Sequence, residues 1–280
     1  MKRVLVFSSF IVLLLLVSCI RPEAEFEGTW LETLIYHAEN GTDSTYTQAI
    51  FSYEYEGQPV YYTLTFGGAG YNYVYDTSGT QLGAPDGGWY NTGDETLPDF
   101  FDNASNETLI WSYDFPRVAG VSDEYAILNA ALSGRFYDKT YLHVERKTHA
   151  YTEYFSYQDK LNSIDYDTLM VGDFLLRNSA DIILDPDLMI DAVETIHENT
   201  LNNIWTTYEY PEDWQYYYSQ YPLSCGIISL SRPGFSSDGN TAIMKLGWQF
   251  SGDGGQGYMY VLKKYDDIWL IRWTFYTWVS

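Results

Sequence analysis

Cys19 closes an apolar run, Val4 to Val17, that follows the basic start Met1-Lys2-Arg3, with the small residue Ser18 just before it. A charged start, an apolar stretch and a small-residue end are the parts of an export leader, so the position of this thiol predicts processing at Cys19. Enzymatic constellations fail on residue type or spacing. His197-Glu198 opens like a zinc-protease helix, but the position four residues after His197 is Leu201. His37, His143, His149 and His197 are scattered and have no cysteine beside them, so they read as surface or capped residues rather than ligands. Cys225 has no basic neighbour in sequence and reads as a small buried hydrophobe. Gly252-Asp253-Gly254-Gly255-Gln256-Gly257 lacks the lysine of a phosphate-binding loop and reads as a hairpin turn. Asp99, Asp102, Asn103, Asn106 and Glu107 could offer oxygen to calcium but depart from the EF-hand order, so a solvated loop is expected. The chain has 38 acidic side chains, so some pair will have glycosidase spacing by chance and the count decides nothing. No catalytic residue, metal or cofactor is expected.

The segment Leu16-Val17-Ser18-Cys19 resembles the lipobox of bacterial lipoproteins, a likeness confined to about the first twenty residues. It implies cleavage before Cys19, acylation of its thiol and new amino group, and a lipid bilayer of the cell envelope as partner through acylated Cys19. Ile20 stands where an aspartate would imply inner-membrane retention, so the outer membrane is the expected location in a Gram-negative host. The apolar run is short for a span of roughly 20 residues, which favours cleavage over a transmembrane anchor. Formal net charge is −23, and the leader removes two basic residues and no acid. Such a field excludes nucleic acid as a partner, and there is no basic cluster to adsorb on anionic lipid. With Cys19 acylated, Cys225 has no cysteine left for an intramolecular disulfide, so stability must come from a core.

That core is aromatic: 28 Tyr, 14 Phe and 9 Trp. Aromatic residues favour strands and cover apolar ground with a polar tip outward, so they read either as half-exposed sheets or as a stacking surface for sugars. Tyr71, Tyr73 and Tyr75 share one side of a strand at a period of two. Inside a barrel they would line a ligand pocket. Facing solvent they would cover the sheet, the favoured reading because small barrels fill their interiors with side chains.

The elements that must position these residues begin at Gly28. Strands are expected at Gly28 to His37, Tyr46 to Tyr55, Val60 to Phe66, Tyr71 to Asp76, Gly88 to Asn91, Thr108 to Tyr113, Tyr125 to Leu132 and Thr140 to Arg146, joined by short turns. Gly28-Thr29-Trp30 resembles the first strand of lipocalins, which implies a barrel closed by an arginine packed over Trp30, with Arg146 as the candidate. The family's Thr-Asp-Tyr signature is absent, and Gly93 to Asn106 is long for a small barrel, so a sandwich is the alternative. Beyond this lie a polar linker with one candidate helix and a helix opening at Asp185-Pro186-Asp187 and running to about Glu198. A second helix start at Pro211-Glu212-Asp213 is stopped by Pro222, and an antiparallel meander extends from Gly226 to Val279.

The expected fold is mainly β with an α+β second half: a signal peptide at 1–18, a tether at 19–27, an antiparallel lipocalin-like barrel or sandwich at 28–147, a linker at 148–184, and helices packed on an antiparallel meander at 185–280. The expected function is a lipid-anchored, non-enzymatic binding module for a small apolar or glycan ligand. Its competitors are a scaffold that binds envelope proteins and, third, a carbohydrate-active enzyme. Replacing Cys19 by alanine is expected to leave the precursor uncleaved and unlipidated, read from its mass and its release from the membrane fraction; normal processing in that variant overturns the anchoring expectation.

Overall fold

Val60, Tyr62 and Leu64 alternate with Tyr61 and Thr63, and the computed structural model, which describes residues 28–40, 47–65, 70–88, 93–136, 141–149 and 167–280, turns the first set into a core. Five antiparallel strands form this sheet: β1 (Thr47–Tyr55), β2 (Gln58–Thr65), β3 (Tyr71–Asp76), β4 (Gln81–Gly87) and β5 (Ser105–Ser112). Glu56 and Gly57 join β1 to β2 with φ of 52° and 73°, the paired left-handed conformation that suits a two-residue hairpin. Sheet order is β4-β3-β2-β1-β5, so β4 and β5 are the edge strands and the sheet is open rather than a closed lipocalin-like barrel. Its inner face is filled by Phe51, Tyr53, Tyr62, Val74 and Phe100, the last from the short helix α2 (Phe100–Asn103).

Two expected strands are helices. Thr29-Trp30-Leu31-Glu32 is a capping box, in which the Thr29 hydroxyl accepts from the Glu32 N–H and the Glu32 carboxylate accepts from the Thr29 N–H at 2.8 Å, and it starts α1 (Trp30–Glu39). Tyr125 to Leu132 lies in α3 (Asp123–Arg135), where Asp123 and Glu124 occupy the first turn and Arg135 the last, as the helix dipole favours. A short apolar run does not separate buried strand from buried helix by period, and here the alanines decide for helix. Gly88 to Asn91 is not a described strand: Gly88 is a turn residue and 89–92 lie outside the described residues. Strand β4 precedes it, with Pro85 tolerated because β4 is an edge.

The second sheet runs β12-β11-β10-β8-β6-β7, with β9 (Gly234–Phe235) beside β10. The expected meander is present as β8 (Ile227–Leu230), β10 (Thr241–Gln249), β11 (Gly255–Tyr265) and β12 (Ile268–Val279). However, β6 (Leu142–Glu145) pairs in parallel with both β7 (Val193–Ile196) and β8, so the sheet is mixed. Parallel neighbours need crossover connections, and helices occupy them. Helix α4 (Thr168–Arg177), with its N-terminus capped by Asp167, lies in the expected linker between β6 and β7. Helices α5 (Glu198–Thr207) and α6 (Glu212–Gln220) separate β7 from β8. The cap at Asp185 is real, its carboxylate accepting from the Asp187 N–H at 3.1 Å, but it starts only a 3₁₀ turn at Pro186–Leu188 before the chain extends into β7. The expected division at 147 falls in this second sheet, since α3 and β6 share their core with β8, β10 and β11.

A bulge joins the two sheets. Val261 pairs with Trp273 and Leu262 with Ile271, so Arg272 is the extra residue on β12, the edge strand of its sheet. Bulges re-aim side chains, and this one sends a guanidinium that is 3% exposed into the first sheet. Arg272 Nη1 donates to the Tyr62 hydroxyl at 2.5 Å and lies 3.4 Å from the Asp86 carboxylate. Tyr62 donates to Asp86 at 2.8 Å, Asn72 Nδ2 donates to it at 2.9 Å, and Asn72 Oδ1 accepts from the Thr65 N–H at 2.9 Å. The cation also lies over the rings of Tyr62, Trp273 and Phe101 at 4.5, 4.9 and 5.0 Å. Burial pushes the Asp86 carboxyl up, with the Arg272 charge acting against it.

Removing one partner of such a pair leaves an uncompensated buried charge, so Arg272→Ala is expected to cost about 3–5 kcal/mol in urea unfolding. An isosteric double change, Arg272→Met with Asp86→Leu, should recover most of that loss.

Candidate functional site

Tyr71, Tyr73 and Tyr75 stand on the outer face of β3, since Asn72 and Val74 between them are buried. Adjacent ring centroids are 6.2 and 6.3 Å apart. The row continues beyond the three residues legible in sequence: Trp30, fixed by the capping box as the first residue of α1, lies 4.9 Å from Tyr75 and 6.0 Å from Tyr61. Tyr61 is the direct cross-strand partner of Tyr75. Gly79, with φ of 89°, makes room for the indole, because a Cβ there would lie 2.2 Å from the Trp30 ring. Tyr71 is 41% exposed and the other four rings are half-buried, so the row presents both ring faces and polar edges to solvent. It stands on the side of the sheet away from the core of Phe51, Tyr53, Tyr62 and Val74. Its chemistry is stacking, with hydroxyls beside it for hydrogen bonds.

A second recess escaped the sequence, because it depends on parallel pairing. Ligands of open α/β sheets bind outside the carboxyl ends of parallel strands, and the ends of β6 and β7 meet there the first turns of α5. The cleft measures about 880 Å³, open solvent at its mouth included, with Trp205 and Asn202 on one wall and Glu145, Lys147, His149 and Asp181 among the other residues around it. Most of its charges are internally matched. Lys147 pairs with Asp181, and His149 Nε2 lies 2.6 Å from Glu145. The Glu145 hydrogen bond raises the His149 imidazole above its ordinary value; burial opposes this, and the charges of Glu145, Asp181 and Glu198 add to it. A wall of compensated charge beside an indole suits a polar, uncharged ligand.

Other singled-out residues take structural places. Arg146 is exposed at the end of β6, in the other sheet from the strands under Trp30, so the expected Trp30–Arg146 closure is absent, and the buried arginine that reaches into the first sheet is Arg272 of β12. His197 caps α5, its Nδ1 accepting from the Asn199 N–H at 3.3 Å. His143 is fully buried on β6, 2.6 Å from the Tyr217 hydroxyl, and desolvation lowers its pKa although Glu194 acts to raise it. Cys225 is half-buried against the second core. Asp99 accepts from Asn103 Nδ2 at 2.8 Å, and Glu107 accepts from Lys263 at 2.9 Å and Tyr265 at 2.5 Å, which uses two of the expected loop acids as structural acceptors. Cys19 lies outside the described residues.

A sequence family described as a domain of unknown function (DUF6970) matches residues 37–113, a span that holds all five strands of the first sheet and every ring of the row except Trp30. No curated protein and no solved structure matches the chain.

Because its folded pKa is raised, His149 contributes stability that is complete below its unfolded value near 6.5 and is lost as pH rises through the higher folded value. Glu145→Gln is expected to return the imidazole titration, followed by NMR, toward 6.5 and to remove that stability at low pH only.

Proposed function

We propose that this chain is a lipid-anchored protein of the bacterial cell envelope that binds neutral glycans on the row formed by Trp30, Tyr61, Tyr75, Tyr73 and Tyr71. The observation that carries the reading is the spacing of those rings, 4.9 to 6.3 Å from neighbour to neighbour along an accessible sheet face. A pyranose presents an apolar C–H face to an aromatic ring and hydroxyls around its rim, the complement of tyrosines held side by side. A net charge of −23 disfavours anionic polysaccharides. The open sheet, with Phe51, Tyr53, Tyr62 and Val74 filling the centre of its inner face, supports a glycan over a small apolar ligand held in a barrel. No helix among the described residues is long and apolar enough to cross a membrane, and the attachment in this reading is the acylated Cys19.

Stacking of nucleic-acid bases on aromatic side chains, a measured analogue, is worth roughly 1–3 kcal/mol per ring. Tyr73→Ala is therefore expected to weaken binding of neutral oligosaccharides of the glucan or mannan type about tenfold in calorimetric titration, with thermal stability nearly unchanged. Wild-type protein that retains none of these sugars, or a Tyr73→Ala variant that binds them equally, overturns the assignment.

A further inference from the structure

Arg135 ends α3 at the place where this helix approaches both sheets: a Cβ on the preceding Gly134 would lie 2.9 Å from Ile271 of β12 and 3.6 Å from Gln48 of β1. Its guanidinium lies over the rings of Tyr258, Trp248 and Phe136 at 4.9, 5.5 and 5.8 Å. Nη2 donates to the Tyr258 hydroxyl at 2.7 Å and to Gln256 Oε1 at 3.4 Å. Neither acceptor is charged. The other described arginines with restricted exposure each hold a carboxylate: Arg177 and Arg232 share Glu124, and Arg272 has Asp86. Among the described residues Arg135 has none within ion-pair range, in a chain where acids outnumber basic side chains 38 to 15.

Two donors at this place also go unused. Arg135 Nε is buried without an acceptor among the described residues, and so is the hydroxyl of Tyr260, a residue only 1% exposed. Both residues line one recess between the sheets, with a cavity of about 30 Å³, room for one small ion, and with Arg272, Asn72 and Thr274 elsewhere on its wall. Buried donors left unmade are destabilising, and a desolvated cation without a counter-charge more so. A water could accept from both groups but would leave the charge on Arg135 uncompensated. An anion meets both demands, and the long-range repulsion of the acidic surface is screened beyond about 8 Å at physiological salt.

We propose that this recess is a binding site for a small monovalent anion of halide or formate size, which accepts from Arg135 Nε–H and the Tyr260 O–H and supplies the counter-charge that no described residue provides. The site is separate from the aromatic row and does not depend on glycan binding.

The test is a thermal-shift titration of the chain with sodium bromide, ionic strength held constant with sodium gluconate, followed by anomalous diffraction from bromide-soaked crystals. Wild-type protein should gain melting temperature saturably, as a ligand bound to the folded state requires, and bromide should appear between Arg135 and Tyr260. Arg135→Met should abolish the gain. Tyr260→Phe, which deletes a single hydroxyl and keeps the ring packing, should weaken the apparent affinity at least fivefold. Absence of a saturable gain in wild type, an equal gain in Tyr260→Phe, or bromide found only elsewhere overturns the proposal.

Discussion

Arg272 is the interaction on which the architecture turns. A guanidinium with almost no exposure must have its charge and its donors met, and the groups that meet them, Tyr62 and Asp86, lie on two strands of the other sheet. The arrangement therefore works only when β2, β4 and β12 are all in register. It also explains why a bulge interrupts a long hairpin between β11 and β12: a residue in regular pairing faces one side of its own sheet, whereas the bulged residue can reach past the sheet edge. Leu270, two residues earlier, buries itself in the core of the first sheet and adds apolar contact beside the charge pair. A second tie, Lys263 and Tyr265 of β11 on Glu107 of β5, binds the opposite edge of the first sheet. An aggregation-prone free edge is thus partly closed at β5 by contact with the other sheet.

The abundance of tyrosine follows from these demands. Tyr62, Tyr217, Tyr258 and Tyr265 are buried or nearly so, and their hydroxyls join an aspartate, a histidine, an arginine and a glutamate. A phenol brings a large apolar surface together with one hydrogen-bonding group, so it can sit in a core and still satisfy a charge that phenylalanine would leave alone. On the outer face of β3 the same side chain does different work, lying side by side with its neighbours and half in water. One residue type accounts for both the polar seams inside the protein and its stacking surface outside.

The mixed second sheet creates a second recess. Three parallel strands, β7, β6 and β8, end side by side, and α5 begins one residue after β7. The residues that follow β6, Arg146-Lys147-Thr148-His149, carry no acid, and folding matches Lys147 with Asp181 and His149 with Glu145. Antiparallel pairing would have sent these loops to opposite ends of the sheet. The cleft is a consequence of topology rather than of any local motif.

The sequence alone determined what depends on local chemistry: the strands whose alternation is unbroken, the tight turn at Glu56-Gly57, the cap at Asp185, the helix start at Pro211-Glu212-Asp213, the terminal meander, and the exposed side of Tyr71, Tyr73 and Tyr75. It misplaced Gly28 to His37 and Tyr125 to Leu132, because short apolar runs suit helix and strand equally until a cap or a packing partner decides. Tertiary structure alone decided that the first sheet stays open, that β6 joins the second sheet in parallel, and that Trp30 extends the tyrosine row instead of meeting Arg146. Only the fold could reveal Arg272 and Arg135 as special among arginines. Burial and the distance to a counter-charge are properties of residues far apart in the chain, and neither composition nor period carries them.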